Sequence, residues 1–193
     1  MQACHLEARE IACRRGDRLL FAQLSFALEP GAALQIAGPN GIGKSSLIRI
    51  LAGLARPLEG TVSRSGAVGL LDERLALDEH QPLDKALAFW AALDRADLEA
   101  HAETLGLAGL LDVPVRYLST GQRKRAALAR LVGQQAPLWL LDEPLNGLDS
   151  RAAGLVERLA ANHCRAGGIA VIASHQRFTL DGMAQLELAG FAP

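Results

Sequence analysis

The feature that most constrains this chain is a glycine-rich segment, from Gly38 to Ser46, that follows the apolar stretch ALQIA. It fits the pattern G-x-x-x-x-G-K-S, whose backbone amides can surround phosphate oxygens at the start of a helix. Lys44 supplies a positive charge for the β- and γ-phosphates, and the Ser45 hydroxyl is placed to ligate Mg²⁺. The segment therefore predicts a strand, a phosphate loop and a helix. The predicted ATP contacts in this loop are Gly38, Pro39, Asn40, Gly41, Ile42, Gly43, Lys44, Ser45 and Ser46.

A second constraint is the segment LWLLDEP, Leu138 to Pro144, in which an apolar strand ends in two carboxylates. Buried carboxylates are costly unless they meet a cation or a reacting water. We expect Asp142 to hold Mg²⁺ through its water shell and Glu143 to orient and deprotonate the attacking water. His175 follows the apolar run IAVIA, so it should lie at the same sheet edge and bond the γ-phosphate and this water. The predicted catalytic residues are Glu143, His175 and Lys44.

The remaining pattern predicts an α/β protein, because apolar runs alternate with helical stretches. AVGLL, LWLLD and IAVIAS are typical of buried parallel strands, whereas the opening segment, Leu6 to Ile36, is broken by turns and predicts an antiparallel β-element. A helical stretch is expected from Pro82 to about Leu111. Ser119 and Gln122 have the spacing of a capping box, which predicts a helix start, and another helix is expected from Ser150 to Arg165.

Composition narrows the classes of function. The net charge of −1 and the pI near 6.5 give no general case for nucleic-acid binding, which needs a basic face. Three cysteines, Cys4, Cys13 and Cys164, fit no metal or redox spacing. No apolar run approaches the ~20 residues that cross a bilayer, and the N-terminus lacks a signal-peptide pattern. We therefore expect a cytoplasmic protein, unless another protein holds it at a membrane.

Leu118 to Gln122 reads LSTGQ and precedes the basic stretch RKRAALARL. With these residues the chain resembles the ABC ATPase superfamily, whose signature is LSGGQ. The resemblance covers nearly the whole chain, because the phosphate loop, LWLLDEP, the loop LNGLD and His175 follow the family order. It implies a P-loop NTPase fold with a mainly parallel core sheet and an N-terminal antiparallel β-subdomain. The implied organisation is a single domain, 1–193, with a short helical subdomain inserted at about 74–120.

The resemblance also implies that each ATP site is shared between two copies of the chain. In such an isologous homodimer two ATP molecules are sandwiched at the interface. The residues implied to contact the partner's ATP in trans are Ser119, Gly121, Gln122 and Asp149. Thr120 replaces the usual first glycine of the signature, and its Cβ crowds a place where backbone approaches phosphate; the second glycine is retained.

Two further positions depart from the family pattern. Where relatives stack an aromatic ring on adenine, this chain has Arg14-Arg15, and Arg15 is either a stacking guanidinium or a solvated turn residue. The Q-loop glutamine corresponds to Glu73, which could still ligate Mg²⁺ but adds negative charge near the γ-phosphate. Gln81 takes this role if the alignment is shifted.

Within the superfamily the chain is most similar to the ATP-binding subunits of haem exporters in bacterial cytochrome c biogenesis. The stretches that carry this are LEAREIACRRGDRLLF, RILAGLARPLEGTV, DVPVRYLSTGQRKRAALARL, APLWLLDEP and Ser-His-Gln in place of Thr-His-Asp. The resemblance implies a dimer on separate integral membrane permease subunits, at the cytoplasmic face of the inner membrane. ATP hydrolysis would drive haem export or release of a haem-loaded chaperone.

Haem itself is not expected to bind this chain, because Cys-x-x-Cys-His is absent and the five histidines are scattered. Two alternatives remain open: an ABC subunit for another substrate, and a weakly hydrolysing nucleotide switch suggested by Glu73 and Thr120. An ABC protein acting on DNA or ribosomes is disfavoured, since neither a long coiled-coil insertion nor a second ATPase domain is present.

Overall fold

The computed structural model describes residues 4–74 and 76–192. Leu75, inside the predicted helical subdomain at 74–120, and the chain ends at 1–3 and 193 lie outside the described residues. Two sheets and five α-helices organise the described chain. The helices are α1 (Lys44–Leu51), α2 (Leu83–Asp94), α3 (Leu98–Thr104), α4 (Thr120–Gly133) and α5 (Ser150–Arg165).

The central sheet has five parallel strands. They are β3 (Ala33–Ala37), β5 (Val68–Leu71), β6 (Leu138–Asp142), β7 (Ile169–Ala173) and β8 (Ala184–Glu187). Their order is β5-β6-β7-β3-β8, so β7 lies between the strand that precedes the phosphate loop and the strand that carries the carboxylates. The three apolar runs predicted as parallel strands, and ALQIA, all form strands of this sheet; β3, β6 and β7 are buried throughout, whereas the edge strand β5 is only half-buried.

A three-stranded sheet contains β1 (His5–Arg15), β2 (Arg18–Leu28) and β4 (Glu59–Ser65), in the order β2-β1-β4. Both strand pairs are antiparallel. The pairing of β1 with β2 confirms the antiparallel β-element predicted for the opening segment. Residues 33–36, the end of that predicted segment, belong instead to the parallel sheet. The third antiparallel strand, β4, follows α1 in the sequence and pairs with the distant β1.

The predicted helical stretch from Pro82 to about Leu111 is divided. Arg95 has a φ of 54°, in the left-handed region, which ends α2. Asp97 then starts α3, since its side chain accepts a hydrogen bond of 3.1 Å from the Ala100 amide. The chain closes this region with short 3₁₀ turns before α4.

Backbone hydrogen bonds fasten the start of α2 to the segment before α4. Val115 donates to the Gln81 carbonyl over 3.1 Å, and Leu83 donates to the Val113 carbonyl over 3.0 Å. These bonds fix the entry to α4, whose first turn carries the LSTGQ motif.

Hydrophobic residues form one core on each face of the parallel sheet. On β6, Leu138 and Leu140 pack with α1 and the antiparallel sheet, whereas Trp139 and Leu141 pack with α2, α4 and α5. Successive side chains of a strand point to opposite faces, and both faces are covered here. This explains why β6 is a continuous apolar run in the sequence. Within the described residues, no helix is both long enough and apolar enough to cross a membrane.

Candidate functional site

The phosphate loop joins β3 to α1, and its glycines are required by backbone geometry. Gly38, Gly41 and Gly43 have φ values of 141°, 80° and 119°, which residues with a Cβ rarely adopt. At Gly43 a Cβ would also lie 3.2 Å from the Leu20 Cβ. The loop ends at the N-terminus of α1, where unpaired amides and the helix dipole favour an anion.

Lys44 is the first residue of α1, and its side chain is almost fully buried. Its Nζ donates to the carbonyl oxygens of Gly38 (2.9 Å) and Pro39 (3.2 Å), at the start of the loop. The same Nζ lies 3.4 Å from Glu143 Oε1. The ammonium group therefore connects the phosphate loop to the carboxylate end of β6.

Glu143 lies between a lysine and a histidine. Besides the contact with Lys44, its Oε2 is 2.9 Å from Nδ1 of His175, which follows β7. A proton on Nδ1 would let the imidazole donate to this carboxylate oxygen. The Glu143 amide donates to the Ala173 carbonyl over 2.8 Å. The three predicted catalytic side chains are thus in contact, and a carboxylate oriented in this way can accept a proton from water.

Asp142 has the environment of a cation ligand. It is buried, and within the described part of the chain its Oδ1 has no hydrogen-bond partner. Burial raises the pKa of this carboxyl, as do the charges of Glu143 and Glu73, whereas the Ser45 hydroxyl and Lys124 lower the pKa. An unpartnered buried carboxylate oxygen is costly, and a hydrated divalent cation would satisfy it.

Side chains alone do not form a metal cage at this place. Among the described residues no group of three or more His, Cys, Asp or Glu could hold a metal ion. Mg²⁺ usually keeps several waters and binds through one or two protein groups plus substrate phosphates. The donor set of Asp142 and Ser45 fits that mode of binding.

The cavity beside the phosphate loop has a volume of about 310 Å³, within the usual range for a small-molecule site. Arg15 and Glu73, the two predicted residues that depart from the family pattern, both line it. Gln81 instead takes part in the backbone pairing before α4. The full lining is Arg15, Leu20, Asn40, Gly41, Gly43, Lys44, Ser45, Ser46, Glu73, Glu143 and Asn146.

A larger cavity, of about 660 Å³, lies at the opposite, amino ends of β5 and β6. Trp139 and His163 line it and stack on each other with ring centroids 4.1 Å apart. The His163 Nε2 faces the carbonyls of Pro137 and Ile169, and burial lowers the pKa of its imidazole. Ligands of open parallel sheets bind beyond the carboxyl ends of the strands, which favours the smaller cavity as the functional site.

The signature segment begins α4 with the predicted capping box. The Ser119 amide donates to Gln122 Oε1 over 2.8 Å, and the Gln122 amide donates to Ser119 Oγ over 3.3 Å. Ser119 Oγ acts here as an acceptor, so its own proton remains available for another acceptor. This exposed helix N-terminus can therefore still donate to an anion.

Gly121 lies against the loop that follows β6. A Cβ on Gly121 would be 2.8 Å from the Gly147 carbonyl, and Thr120 packs its methyl group towards Gly147 from the same helix turn. Asp149 accepts from the Ala152 amide over 2.8 Å and thereby caps α5. In the described chain, none of the four residues predicted to act in trans lines the phosphate-loop cavity.

Sequence reasoning missed two residues at this site. Asn146 lines the cavity, and its Oδ1 accepts a hydrogen bond of 3.2 Å from Gln176 Nε2. Its place within the LNGLD loop could have indicated it. Lys124 donates to the Glu143 carbonyl over 3.1 Å, and nothing in the basic run RKR distinguishes it in the sequence.

Five parallel strands, with a phosphate loop after β3 and two carboxylates at the end of β6, define a P-loop ATPase fold. Residues 21–146 match the family model described as ABC transporter. The chain belongs to the ABC transporter family of ATPases, in the group of cytochrome c biogenesis ATP-binding export proteins CcmA. A member of this family binds ATP and hydrolyses it.

Two relatives of that name are from Novosphingobium aromaticivorans and Zymomonas mobilis. The first is 59% identical over 193 residues and covers all of both chains. The second is 50% identical over 192 residues, 98% of this chain and 85% of the relative. A solved Pyrococcus furiosus structure, described as an ABC transporter ATP-binding protein, has a TM-score of 0.83 at 21% identity. It covers 98% of this chain and 100% of that one, and it supports the fold alone.

Proposed function

We propose that this chain hydrolyses Mg-ATP at the phosphate-loop cavity, with Glu143 as the general base. The observation that carries the proposal is the placement of the Glu143 carboxylate between Lys44 Nζ and His175 Nδ1. A base must lie within hydrogen-bond reach of the proton that it removes, and the contacts at Glu143 orient its carboxylate for that task.

In the proposed reaction the phosphate-loop amides and Lys44 hold the β- and γ-phosphates. Glu143 accepts a proton from water as the water oxygen bonds to the γ-phosphorus, and the bond to the ADP oxygen breaks. His175 orients Glu143 and the γ-phosphate. Asp142 and Ser45 would hold Mg²⁺, with Glu73 as a further candidate ligand; the ion supplies charge neutralisation for the phosphate oxygens. Arg15 is the candidate adenine contact.

The proposed active unit is a homodimer with two ATP molecules sandwiched at its interface. The residues proposed to complete the partner's site are Ser119, Gly121, Gln122 and Asp149. Support comes from the exposed N-terminus of α4, where Ser119 retains a hydroxyl proton for a γ-phosphate oxygen. We further propose one ABC ATPase domain, 1–193, with a compact helical subdomain at about 74–120.

The dimer would dock on integral membrane permease subunits encoded as separate chains, at the cytoplasmic face of the inner membrane. Hydrolysis would power haem export, or release of a haem-loaded chaperone, in the maturation of c-type cytochromes. The support is the name shared by relatives at 59%, 50% and 47% identity, cytochrome c biogenesis ATP-binding export protein. Haem would pass through the partner subunits and not bind this chain, and no nucleic-acid partner is proposed.

A complementation experiment tests both levels of the proposal. We expect a deletion strain to lose haem-stained c-type cytochromes, wild-type protein to restore them, and Glu143→Gln to fail at equal expression. Lys85→Met, a change on the exposed face of α2, should restore them fully. Cytochromes that persist in the deletion strain would remove the haem-export assignment. Restoration by Glu143→Gln would instead remove Glu143 as the base.

A further inference from the structure

Lys124 contacts the end of β6 from the sheet face opposite the one on which α1 packs. It belongs to α4, and its Nζ donates a hydrogen bond of 3.1 Å to the backbone carbonyl of Glu143. A second cavity of about 310 Å³ lies on this side and shares three residues with the phosphate-loop cavity. Its full lining is Asp72, Glu73, Thr120, Arg123, Lys124, Ala127, Glu143 and Asn146. The two cavities therefore meet at Glu143.

Glu143 has a backbone conformation that needs support. Its φ of 46° lies in the left-handed region, which is uncommon for residues other than glycine and is energetically unfavourable for a residue with a Cβ. Pro144 follows, and a proline restricts the conformation of the residue before it. The Glu143 amide is held by the Ala173 carbonyl, so β7 fixes one side of this residue. Lys124 fixes the carbonyl side.

Two groups donate hydrogen bonds to the Glu143 carbonyl, and the bond from Lys124 Nζ, at 3.1 Å, is the shorter. The other is the Asn146 amide, at 3.3 Å. Burial lowers the pKa of the Lys124 ammonium, whereas the nearby carboxylates of Asp142, Glu73, Glu143 and Asp72 raise it. Carboxylates therefore surround the Lys124 ammonium group, yet its hydrogen bond goes to the backbone carbonyl of Glu143.

We propose that Lys124 is a positioning residue for ATP hydrolysis: its bond to the Glu143 carbonyl holds the carboxylate between Lys44 and His175. This inference rests on the proposed role of Glu143 as the base. Because Ser119 caps α4 and would contact the partner's ATP, Lys124 also links the carboxylate of one site to the helix that completes the other.

The test compares the ATPase activity of Lys124→Met with that of wild type. Each protein is solubilised from membranes in mild detergent and purified together with the membrane proteins that remain bound to it. Methionine keeps the length of the side chain and removes the donor. We expect kcat to fall about 10- to 100-fold while KM for ATP changes by less than about 2-fold. Lys124→Arg restores a donor and should recover most of kcat. Lys85→Met makes the same chemical change on an exposed site and should behave as wild type.

A second measurement separates positioning from folding. In a Glu143→Gln background, adding Lys124→Met should leave the affinity for ATP unchanged, because Lys124 does not line the phosphate-loop cavity. The thermal unfolding midpoint should fall slightly and recover in Lys124→Arg, because methionine removes the hydrogen bond to the Glu143 carbonyl and arginine restores a donor. A kcat for Lys124→Met within about 2-fold of wild type overturns the inference, as does a rise in KM equal to the fall in kcat. A lowered unfolding midpoint that Lys124→Arg does not recover also overturns it. A wild-type protein without ATPase activity removes the proposed function itself, and this inference with it.

Discussion

Asp142, Glu143 and Glu73 crowd negative charge into the place where a triphosphate would bind. Lys44 contacts Glu143 directly, and Lys124 lowers the pKa of Asp142, so two lysines partly compensate these carboxylates. Glu73 is exposed and lines the cavity, where water screens its charge but does not abolish its repulsion of a bound triphosphate. We therefore expect the side chain at position 73 to adjust the affinity for Mg-ATP without rearranging the fold.

Glu73→Gln should lower KM for Mg-ATP by about 3- to 10-fold, because one negative charge near the γ-phosphate is removed at an effective dielectric constant of about 20. The measurement is a series of steady-state ATPase assays at varied ATP and Mg²⁺ concentrations. Glu29→Gln makes the same change near the amino end of β3 and should leave KM unaltered. If neither KM, kcat nor the Mg²⁺ dependence responds, position 73 is not the Q-loop residue, and Gln81 becomes the candidate.

Helix α4 carries both the signature residues and the lysine that contacts the end of β6. Its N-terminus is closed by the Ser119–Gln122 capping box, and its first turn packs Gly121 and Thr120 against Gly147. One turn later Lys124 reaches the end of β6. The helix is thus fixed to the loop after β6 at several points, and it presents the signature residues as a rigid unit.

Ser119→Asp separates the capping role from the proposed ATP contact. Aspartate caps a helix about as well as serine, so the free energy of unfolding should stay within about 0.5 kcal/mol of wild type. Its negative charge would oppose the partner's γ-phosphate, so kcat should fall at least about 10-fold. Ser119→Ala should instead cost about 1 kcal/mol in urea unfolding. Full activity in Ser119→Asp would contradict a contact between this residue and ATP.

At the scale of the whole molecule, the proposed site is divided between two places on one chain. The phosphate loop, Glu143 and His175 line or adjoin one cavity, whereas Ser119 and Asp149 lie outside it at exposed helix N-termini. An isologous dimer brings such complementary surfaces together twice. ATP would then act as part of the interface.

Glu143→Gln should form an ATP-dependent dimer, because the phosphate contacts remain while hydrolysis slows at least about 100-fold. Size-exclusion chromatography with light scattering, with and without Mg-ATP, measures this. Combining Glu143→Gln with Ser119→Asp should abolish the dimer, and combining it with Lys85→Met should preserve it. A Glu143→Gln chain that stays monomeric at millimolar ATP would contradict the shared site.

Much of the site could be predicted from the sequence, because its determinants are local. Gly38, Gly41 and Gly43 take φ values that residues with a Cβ rarely adopt, and the capping box at Ser119 joins residues one turn apart. The central strands β3, β6 and β7 are buried on both faces, so each is a nearly continuous apolar run. These patterns reflect short-range geometry and burial, which the order of residues records directly.

Only the tertiary structure decided the rest. Strands β4 and β8 lie at sheet edges with mostly exposed residues, so no apolar pattern indicates them. The position of Glu73 in the cavity depends on where the chain turns after β5. The bond from Lys124 to the Glu143 carbonyl joins residues brought together by the packing of α4 against the sheet. Every residue has a backbone carbonyl, so the residue type at position 143 does not indicate this contact. The sequence by itself therefore determined the residue types of the proposed ATP site, and the packing of α4 decided that Lys124 contacts the end of β6.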